Sequence, residues 1–301
     1  MVGNSGRWLC ALAVAIAASV TAIGDANAAP QGKQLVVLGD SFSANAWDST
    51  SEEVACIRRA TSWPSQLSTL MRVAGTEDVL DVSCTGASID TGAGYTLGIE
   101  AKLADQAGAF GPRTEVVTMQ FGLNDTWGAG DTTLWKAMDR CIFDLLRGCG
   151  LDAMDQGRIP DHRAVTGADY AARIRNAVTY IKYYAPNARI VLVGYPELFP
   201  SGTDTVCLSI LGVAPFIQPR GRALVELLDA IDRAQREAAA LLGVEFLDSR
   251  ALTAGHGLCS ADPWMNGLGD WRADIDGLPF HPSVDGDAVV ARALYDRYAR
   301  R

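Results

Sequence analysis

The feature of this sequence that most constrains its fold is a series of short apolar runs that alternate with longer segments of helical periodicity. The apolar runs span residues 35–38, 79–82, 115–121, 189–193 and 244–247. The helical segments span residues 62–74, 170–184, 222–242 and 283–300. The apolar runs lack polar alternation, which is typical of strands that are buried on both faces. We therefore predict one doubly wound α/β domain with a five-stranded parallel sheet.

The first 28 residues predict an export signal that is removed from the mature protein. Arg7 precedes an uncharged apolar run over residues 8–20, which is shorter than the roughly 20 residues that cross a bilayer. Ala26-Asn27-Ala28 has the small residues of a cleavage site. We expect cleavage near Ala28, secretion, and a single monomeric domain over residues 29–301. No later segment of the sequence is long and apolar enough to span a membrane.

The charge of the chain argues against two classes of partner. The formal net charge is -9, and removal of residues 1–28 leaves it unchanged because one arginine and one aspartate are lost together. An acidic protein lacks the basic surface that binds nucleic acid. It also lacks the positive charge that attracts proteins to anionic membranes. We therefore expect a small-molecule or lipid substrate and no nucleic-acid partner.

The cysteines predict disulfide bonds. Of seven cysteines, Cys10 lies in the export signal, and six remain: Cys56, Cys84, Cys141, Cys149, Cys207 and Cys259. An even set in an exported chain is typical of disulfides, although spacing alone leaves the pairing open. A metal site is the alternative, but the sequence has no C-x-x-C motif and only three histidines. We expect no metal.

Small and polar residues follow each of the first three predicted strands. The segments are Gly39-Asp40-Ser41, Ser83-Cys84-Thr85-Gly86 and Gly122-Leu123-Asn124-Asp125. Because the carboxyl ends of parallel strands meet at one edge of a sheet, we expect these segments to converge there. A hydroxyl, a glycine backbone N–H and a side-chain amide are the parts of an acyl-transfer site, namely a nucleophile and donors to an oxyanion.

A base for this hydroxyl stands late in the chain. His281 lies in the segment Pro279-Phe280-His281-Pro282, just before the last predicted helix. A loop that leads into that helix can return to the same edge of the sheet. There His281 can take the proton of Ser41 and later give it to a leaving alcohol.

Each of these residues also has a purely structural interpretation. Ser41 can cap the helix after the first strand, and Gly86 can serve a tight turn. We expect Asp40 and Asp125 to be structural acceptors for loop N–H groups. The other histidines, His162 and His256, are expected in surface or loop positions.

The four segments, in this order, resemble the GDSL/SGNH hydrolase family over roughly residues 35 to 300. The resemblance implies a flavodoxin-like three-layer α/β/α sandwich, the SGNH hydrolase fold. It casts Ser41 as nucleophile and His281 as base. The N–H groups of Ser41 and Gly86 and the Asn124 amide become the oxyanion hole.

One position departs from the family pattern. The family has an aspartate three residues before the histidine, where this chain has Leu278. The six cysteines resemble those of secreted actinobacterial esterases and lipases, in which a main-chain carbonyl can replace the aspartate. That branch implies the pairs Cys56–Cys84, Cys141–Cys149 and Cys207–Cys259. The third member is therefore either a carbonyl group or one of Asp276 and Asp274.

The substrate is left open by the sequence. G-x-S-x-G, phosphate-loop and dinucleotide-binding motifs are absent, and we expect no cofactor. The resemblance implies an esterase or lipase. A carbohydrate esterase that removes acetyl groups is the alternative, and a non-catalytic exported binding protein is the alternative of another class. Trp47 and Trp127 lie just past the first and third predicted strands, and Trp264 and Trp271 lie in the long loop before His281. These four tryptophans either pack in the core or line a cleft.

Overall fold

The architecture comes from a computed structural model that describes residues 30–47, 56–92 and 94–300. The predicted export signal and its cleavage site lie outside these residues. Among the helices that the structure describes, none has the length and apolarity required to cross a bilayer.

The core of the fold is a parallel sheet of five strands in the order β2-β1-β3-β4-β7. In chain order the strands are β1 Leu35–Gly39, β2 Val79–Asp81, β3 Val116–Gln120, β4 Arg189–Val193, β5 Val206–Ile210, β6 Ala214–Gln218 and β7 Glu245–Leu247. The five predicted strands are confirmed, each within two residues of the predicted ends. The strand order is that of flavodoxin-like folds, which place their sites at the carboxyl ends of the strands near the point where the order reverses.

Nine α-helices are present in the described residues. They are α1 Ser41–Ala44, α2 Trp63–Leu70, α3 Leu97–Gln106, α4 Leu134–Ile142, α5 Asp152–Asp155, α6 Gly167–Tyr184, α7 Arg222–Leu242, α8 Ser249–Leu252 and α9 Val284–Leu294. A 3₁₀ turn at His162–Ala164 and a π turn at Tyr295–Ala299 complete the set.

The two faces of the sheet are covered by different helices, which gives three layers. Side chains alternate along a strand, so Leu35 and Val37 of β1 face α2 and α9. Val36 and Leu38 face the opposite way, into the larger core that contains α3, α6 and α7. All four residues are fully buried. The predicted flavodoxin-like three-layer fold is confirmed.

Two helices end earlier than predicted, α6 begins three residues before its predicted start, and some elements were not predicted. Helix α2 stops at Leu70 rather than Ala74, because Arg72 adopts a left-handed backbone with φ 62°. The last helix leaves α geometry at Leu294. Helices α3 and α4 and the antiparallel β5–β6 hairpin were not predicted, and the last of these belongs to a separate two-stranded sheet.

Three disulfide bonds join Cys56 to Cys84, Cys141 to Cys149, and Cys207 to Cys259. This is the pairing that the family resemblance implied. The first bond ties the segment after α1 to the loop that follows β2. The last ties β5 to the long loop that precedes α9.

Candidate active site

Ser41 lies where β1 turns into α1, at the carboxyl edge of the sheet. Gly39 ends the strand, and an added Cβ there would lie 2.3 Å from the Ser43 hydroxyl, so the turn requires glycine. Asp40 caps the helix, because its carboxylate accepts a hydrogen bond from the Phe42 N–H at 2.9 Å. The Ser41 hydroxyl is therefore not the helix cap and is available to another partner.

That partner is the imidazole of His281. The Ser41 Oγ and the His281 Nε2 are 2.7 Å apart, and Nδ1 lies 2.8 Å from the carbonyl oxygen of Pro279. A carbonyl oxygen only accepts, so Nδ1 carries the proton and Nε2 accepts from the serine O–H. Ser41 and His281 are 4% and 5% exposed, which leaves water little access to the pair.

Burial also sets the protonation state of the imidazole. Desolvation lowers the pKa of His281 from the ordinary 6.5 to about 4, and the hydrogen bond to Pro279 opposes this shift only in part. The ring is therefore neutral at neutral pH. A neutral imidazole is the form that can take a proton from a hydroxyl.

Two aromatic rings fix the plane of the His281 imidazole. Trp135 stacks on it with ring centroids 5.3 Å apart and an interplanar angle of 12°. Phe42, from the turn that carries Ser41, lies on it at 4.5 Å. The ring therefore cannot swing without displacing an aromatic side chain. The sequence analysis missed Trp135, which comes from the unpredicted helix α4.

The loop that carries His281 is held by the buried side chain and backbone of Asn266. The Asn266 N–H donates to the His281 carbonyl at 2.8 Å, and its side-chain amide donates to the Pro282 carbonyl at 2.9 Å. Its own carbonyl accepts from Phe280, which has a left-handed φ of 66°. A non-glycine residue in that region costs free energy, and surrounding contacts must maintain it. Asn266 thus positions the imidazole from fifteen residues upstream, and nothing in the sequence pattern indicated it.

The loops after β2 and β3 meet at the β1–α1 turn. The Cys84 N–H donates to the carbonyl of Gly39 at 2.9 Å. The side-chain amide of Asn124 donates to the carbonyl of Ala87 at 2.8 Å. Gly86 precedes Ala87 and has φ 82°, a conformation that favours glycine. The predicted convergence of the three segments is confirmed.

Three N–H donors remain at this edge. Within the described residues, the backbone N–H groups of Ser41 and Gly86 donate to no acceptor. For Ser41 this follows from its place as the first residue of α1, where N–H groups have no partner inside the helix. The Asn124 amide has a second N–H besides the one that binds Ala87. Such donors can stabilise an oxyanion that forms next to the serine oxygen.

Asp40 and Asp125 are structural acceptors, as expected. Asp40 also accepts from the Tyr195 hydroxyl at 2.5 Å, and burial raises the pKa of this carboxyl to about 7. Asp125 accepts from the Ile89 N–H at 3.0 Å and forms an ion pair with Arg173. Both carboxyl groups are fully buried, and each holds a loop at the carboxyl edge of the sheet.

Glu100 supports the β1–α1 turn that carries Ser41, and this role was not predicted. Its carboxyl group accepts the Gly39 N–H at 2.7 Å, and it is fully buried in helix α3. Burial raises the pKa of Glu100 well above its usual value. This contact fixes the backbone at the point where the chain leaves the strand.

The two aspartates considered as a third member do not contact the imidazole. Asp274 pairs with Arg59 and accepts from the Val284 N–H, each at 3.0 Å. Asp276 also pairs with Arg59, at 3.3 Å, and its side chain is 83% exposed. The group within hydrogen-bond distance of Nδ1 is the Pro279 carbonyl rather than either carboxylate. Pro279 lies two residues before the histidine, so its carbonyl reaches Nδ1 within a tight turn.

Within the described residues, no ring contact joins His162, His256 or the four tryptophans noted in the sequence to His281. His256 stacks on Trp264 at 3.5 Å, and His162 lies in a 3₁₀ turn. Trp127 is buried and stacks on Tyr170, so its role is packing. Trp47 and Trp271 are exposed. No group of three or more histidine, cysteine, aspartate or glutamate side chains in the described part of the chain is arranged to hold a metal ion.

Comparison with known proteins agrees with this geometry. Residues 37–289 match the model of the GDSL-like lipase/acylhydrolase family. Lipase 1 of Streptomyces coelicolor is 27% identical over 291 residues, which cover 96% of this chain and 94% of the lipase. An esterase of Streptomyces scabiei is 27% identical and covers 97% and 94% of the two chains.

The fold has a counterpart among solved structures. The crystal structure of phospholipase A1 from Streptomyces albidoflavus NA297 superposes with a TM-score of 0.59, at 20% identity. The match covers 87% of this chain and 99% of the phospholipase. With a family match over most of its length, this chain belongs to the GDSL-like lipase/acylhydrolase family of ester hydrolases.

Proposed function

We propose that this enzyme cleaves carboxylic esters by transferring the acyl group to Ser41. The observation that carries the proposal is the 2.7 Å contact between Ser41 Oγ and His281 Nε2. As the hydroxyl oxygen attacks the ester carbonyl, Nε2 takes its proton and then gives it to the departing alkoxide oxygen. A water molecule, deprotonated in the same way, attacks the acyl-enzyme and releases the acid.

In this proposal Ser41 and His281 form a catalytic dyad, and the main chain orients the imidazole. The Pro279 carbonyl accepts the Nδ1 proton and holds the ring with Nε2 towards Ser41. The N–H groups of Ser41 and Gly86 and the Asn124 amide stabilise the oxyanion of each tetrahedral intermediate. When His281 takes the serine proton it becomes a positively charged imidazolium. The group that faces its Nδ1 is the neutral Pro279 carbonyl rather than a carboxylate.

Loss of the Asp276 carboxylate should therefore have little effect on turnover. Among the described residues its carboxylate pairs with Arg59 alone, at an exposed position, and such pairs contribute at most about 1 kcal/mol, or roughly fivefold in rate. We expect Asp276→Ala to keep kcat within about fivefold of the wild type. A decrease on the order of 10⁴-fold, as when a triad aspartate is disabled, would show instead that Asp276 acts on His281 during catalysis.

Activity should persist at lower pH than an ordinary histidine allows. His281 must be neutral to act as a base, and its pKa is lowered to about 4. As the pH falls, kcat/KM for the free enzyme should therefore hold below the ordinary pKa of 6.5 and decline as the pH approaches about 4. The measurement is kcat/KM for a water-soluble ester from neutral to acid pH, with tryptophan fluorescence as a check that the fold survives. An acid limb centred at the ordinary histidine pKa would contradict the buried, neutral imidazole.

We propose lipid or short-chain esters as substrates. The names of the S. coelicolor lipase and the S. scabiei esterase support this class. The test is a scan of p-nitrophenyl esters of increasing acyl length, with the Ser41→Ala variant as control. Turnover that extends beyond acetyl esters agrees with the proposal. Turnover limited to acetyl groups, together with release of acetate from acetylxylan, would instead identify a carbohydrate esterase.

We also propose that the mature protein is a secreted monomer consisting of the single domain 29–301, after cleavage near Ala28. Disulfide bonds support an oxidising compartment. Ser41, His281 and the three donors come from one chain, so the site needs no partner subunit. N-terminal sequencing and light scattering of the exported protein test these points.

A further inference from the structure

The β5–β6 hairpin presents an apolar tip to solvent. Residues 205–219 contain no charged side chain, in a protein whose net charge is -9. At the tip, Leu211 is 60% exposed and Val213 is 76% exposed. Exposed apolar side chains that cluster without charges mark surfaces that meet an apolar partner.

The backbone conformation at the tip is one that leucine rarely adopts. The turn closes with a hydrogen bond from the Val213 N–H to the Ile210 carbonyl at 3.2 Å. Its two central residues, Leu211 and Gly212, have positive φ of 54° and 69°. Hairpin turns with positive φ at both centres favour Asn-Gly, and leucine is strained there. Leu211 is thus both exposed and strained, so neither packing nor turn formation explains it.

The tip of the hairpin contacts the loop that leads to His281. The Leu211 N–H donates to the Leu268 carbonyl at 2.8 Å, and Gly212 packs against the exposed Trp271. The two charged residues in this loop segment neutralise each other, since Asp270 and Arg272 pair at 2.7 Å and the carboxylate is inaccessible. Leu211, Val213, Leu268 and Trp271 together form an uncharged surface, here called the apolar tip surface.

This surface lies at the same edge of the sheet as the catalytic pair. Asn266, which holds the His281 carbonyl, is two residues from Leu268. Two residues of chain span at most about 7 Å. A ligand on the apolar tip surface is therefore next to the loop that carries the base.

The hairpin has a regular backbone up to its tip. Its strands pair in register from Val206–Gln218 to Ile210–Ala214, and the turn N–H groups of Leu211 and Val213 are satisfied. The apolar side chains of Leu211 and Val213 are therefore presented from an ordered turn. The disulfide from Cys207 to Cys259 anchors the hairpin to the His281 side of the protein.

We propose that the apolar tip surface binds the surface of aggregated ester lipid that is zwitterionic or uncharged, and so seats the active site on it. This inference rests on the proposed function, because it names the physical state of the substrate. The chain is acidic and the surface carries no cation, so binding should come from apolar burial, with Trp271 at the headgroup level. Anionic lipid should not strengthen it.

The test is vesicle flotation with dioleoylphosphatidylcholine, comparing the wild type with a Leu211→Asn/Val213→Thr variant. Both replacements suit their backbone, because asparagine favours the positive φ at 211 and threonine matches valine in shape. We expect vesicle binding to fall by about tenfold or more, as burial of even one aliphatic side chain predicts. Thermal stability should be at least that of the wild type, because asparagine relieves the strained φ at position 211, and hydrolysis of monomeric p-nitrophenyl butyrate should match the wild type.

Two controls separate this inference from the proposed function. Leu241→Asn removes a leucine of matching exposure, 61%, from the end of α7 at the opposite edge of the sheet, and should bind vesicles like the wild type. Ser41→Ala should bind vesicles fully and hydrolyse nothing. If the wild type binds vesicles but hydrolyses no ester, the proposed function is contradicted, while the lipid-binding role of the apolar tip surface is retained.

Four results would overturn the inference. The first is a wild type that does not float with the vesicles, and the second is a double variant that floats equally well. The third is a dependence on anionic phosphatidylglycerol. A wild-type dimer that the double variant converts to monomer would show that a second copy, rather than lipid, covers the surface.

Discussion

Replacing Ser41 by alanine should lower kcat by about 10⁴-fold or more and lower the free energy of unfolding by only about 1 kcal/mol. The hydroxyl supplies the attacking oxygen, and its one side-chain hydrogen bond in the structure is to His281. Residual turnover would come from the oxyanion donors and substrate binding alone. Steady-state kinetics with p-nitrophenyl butyrate and thermal unfolding measure the two quantities.

Ser43→Ala is the matched control for this variant. Ser43 lies two residues after Ser41 in the same helix. It is fully buried, and its hydroxyl donates to the Gln120 side-chain oxygen at 2.9 Å. We expect it to lose about 1 kcal/mol of stability while keeping kcat within tenfold of the wild type. Retention of more than about one part in a hundred of the wild-type kcat by Ser41→Ala would argue against the nucleophile assignment.

Replacing Asn124 by alanine should lower kcat by about 10²- to 10³-fold with little change in KM. In the proposed mechanism the second Asn124 amide N–H donates to the oxyanion. That bond matters most when negative charge develops on the oxygen, so its loss should raise the barrier more than it weakens substrate binding. Kinetics with the same ester measure the split between kcat and KM.

Because the Asn124 amide also donates to Ala87, a control must separate loop positioning from oxyanion stabilisation. Thr91→Ala removes a hydroxyl that donates to Asp125 at 3.2 Å, at the same pair of loops but without an N–H for the substrate. If Thr91→Ala lowers kcat as much as Asn124→Ala, the asparagine acts through loop structure, and the oxyanion role fails.

The sheet and the reacting pair were predictable because their signals are local. Five apolar runs without alternation specify a parallel sheet, and the carboxyl-edge rule then brings Ser41, Gly86 and Asn124 together without knowledge of any contact. His281 stands directly before the last helix, so its return to that edge follows from the order of elements.

The residues that support the pair were not predictable, because their roles depend on contacts distant in sequence. Glu100 reaches Gly39 across 61 positions, and Tyr195 reaches Asp40 across 155. A buried glutamate in an amphipathic helix has no sequence signature that distinguishes it from an exposed one. Likewise Trp135 comes from a helix whose own pattern was not recognised.

The orienting partner of His281 illustrates a different limit. Every residue has a carbonyl oxygen, so a main-chain acceptor leaves no mark in the sequence, whereas an aspartate can be seen. The sequence could offer Asp274 and Asp276 but could not show that both pair with Arg59. Only the turn from Pro279 to His281, with Phe280 in a left-handed conformation, identifies the acceptor.

The most direct test of the account is peptide mass mapping after reaction with a fluorophosphonate, which traps activated serine hydroxyls. A proton acceptor 2.7 Å from Oγ should make one hydroxyl react far ahead of all others. We expect one adduct per chain, on Ser41, which forms much more slowly in a His281→Ala variant. An adduct on a different serine, or no adduct while ester hydrolysis continues, would contradict it.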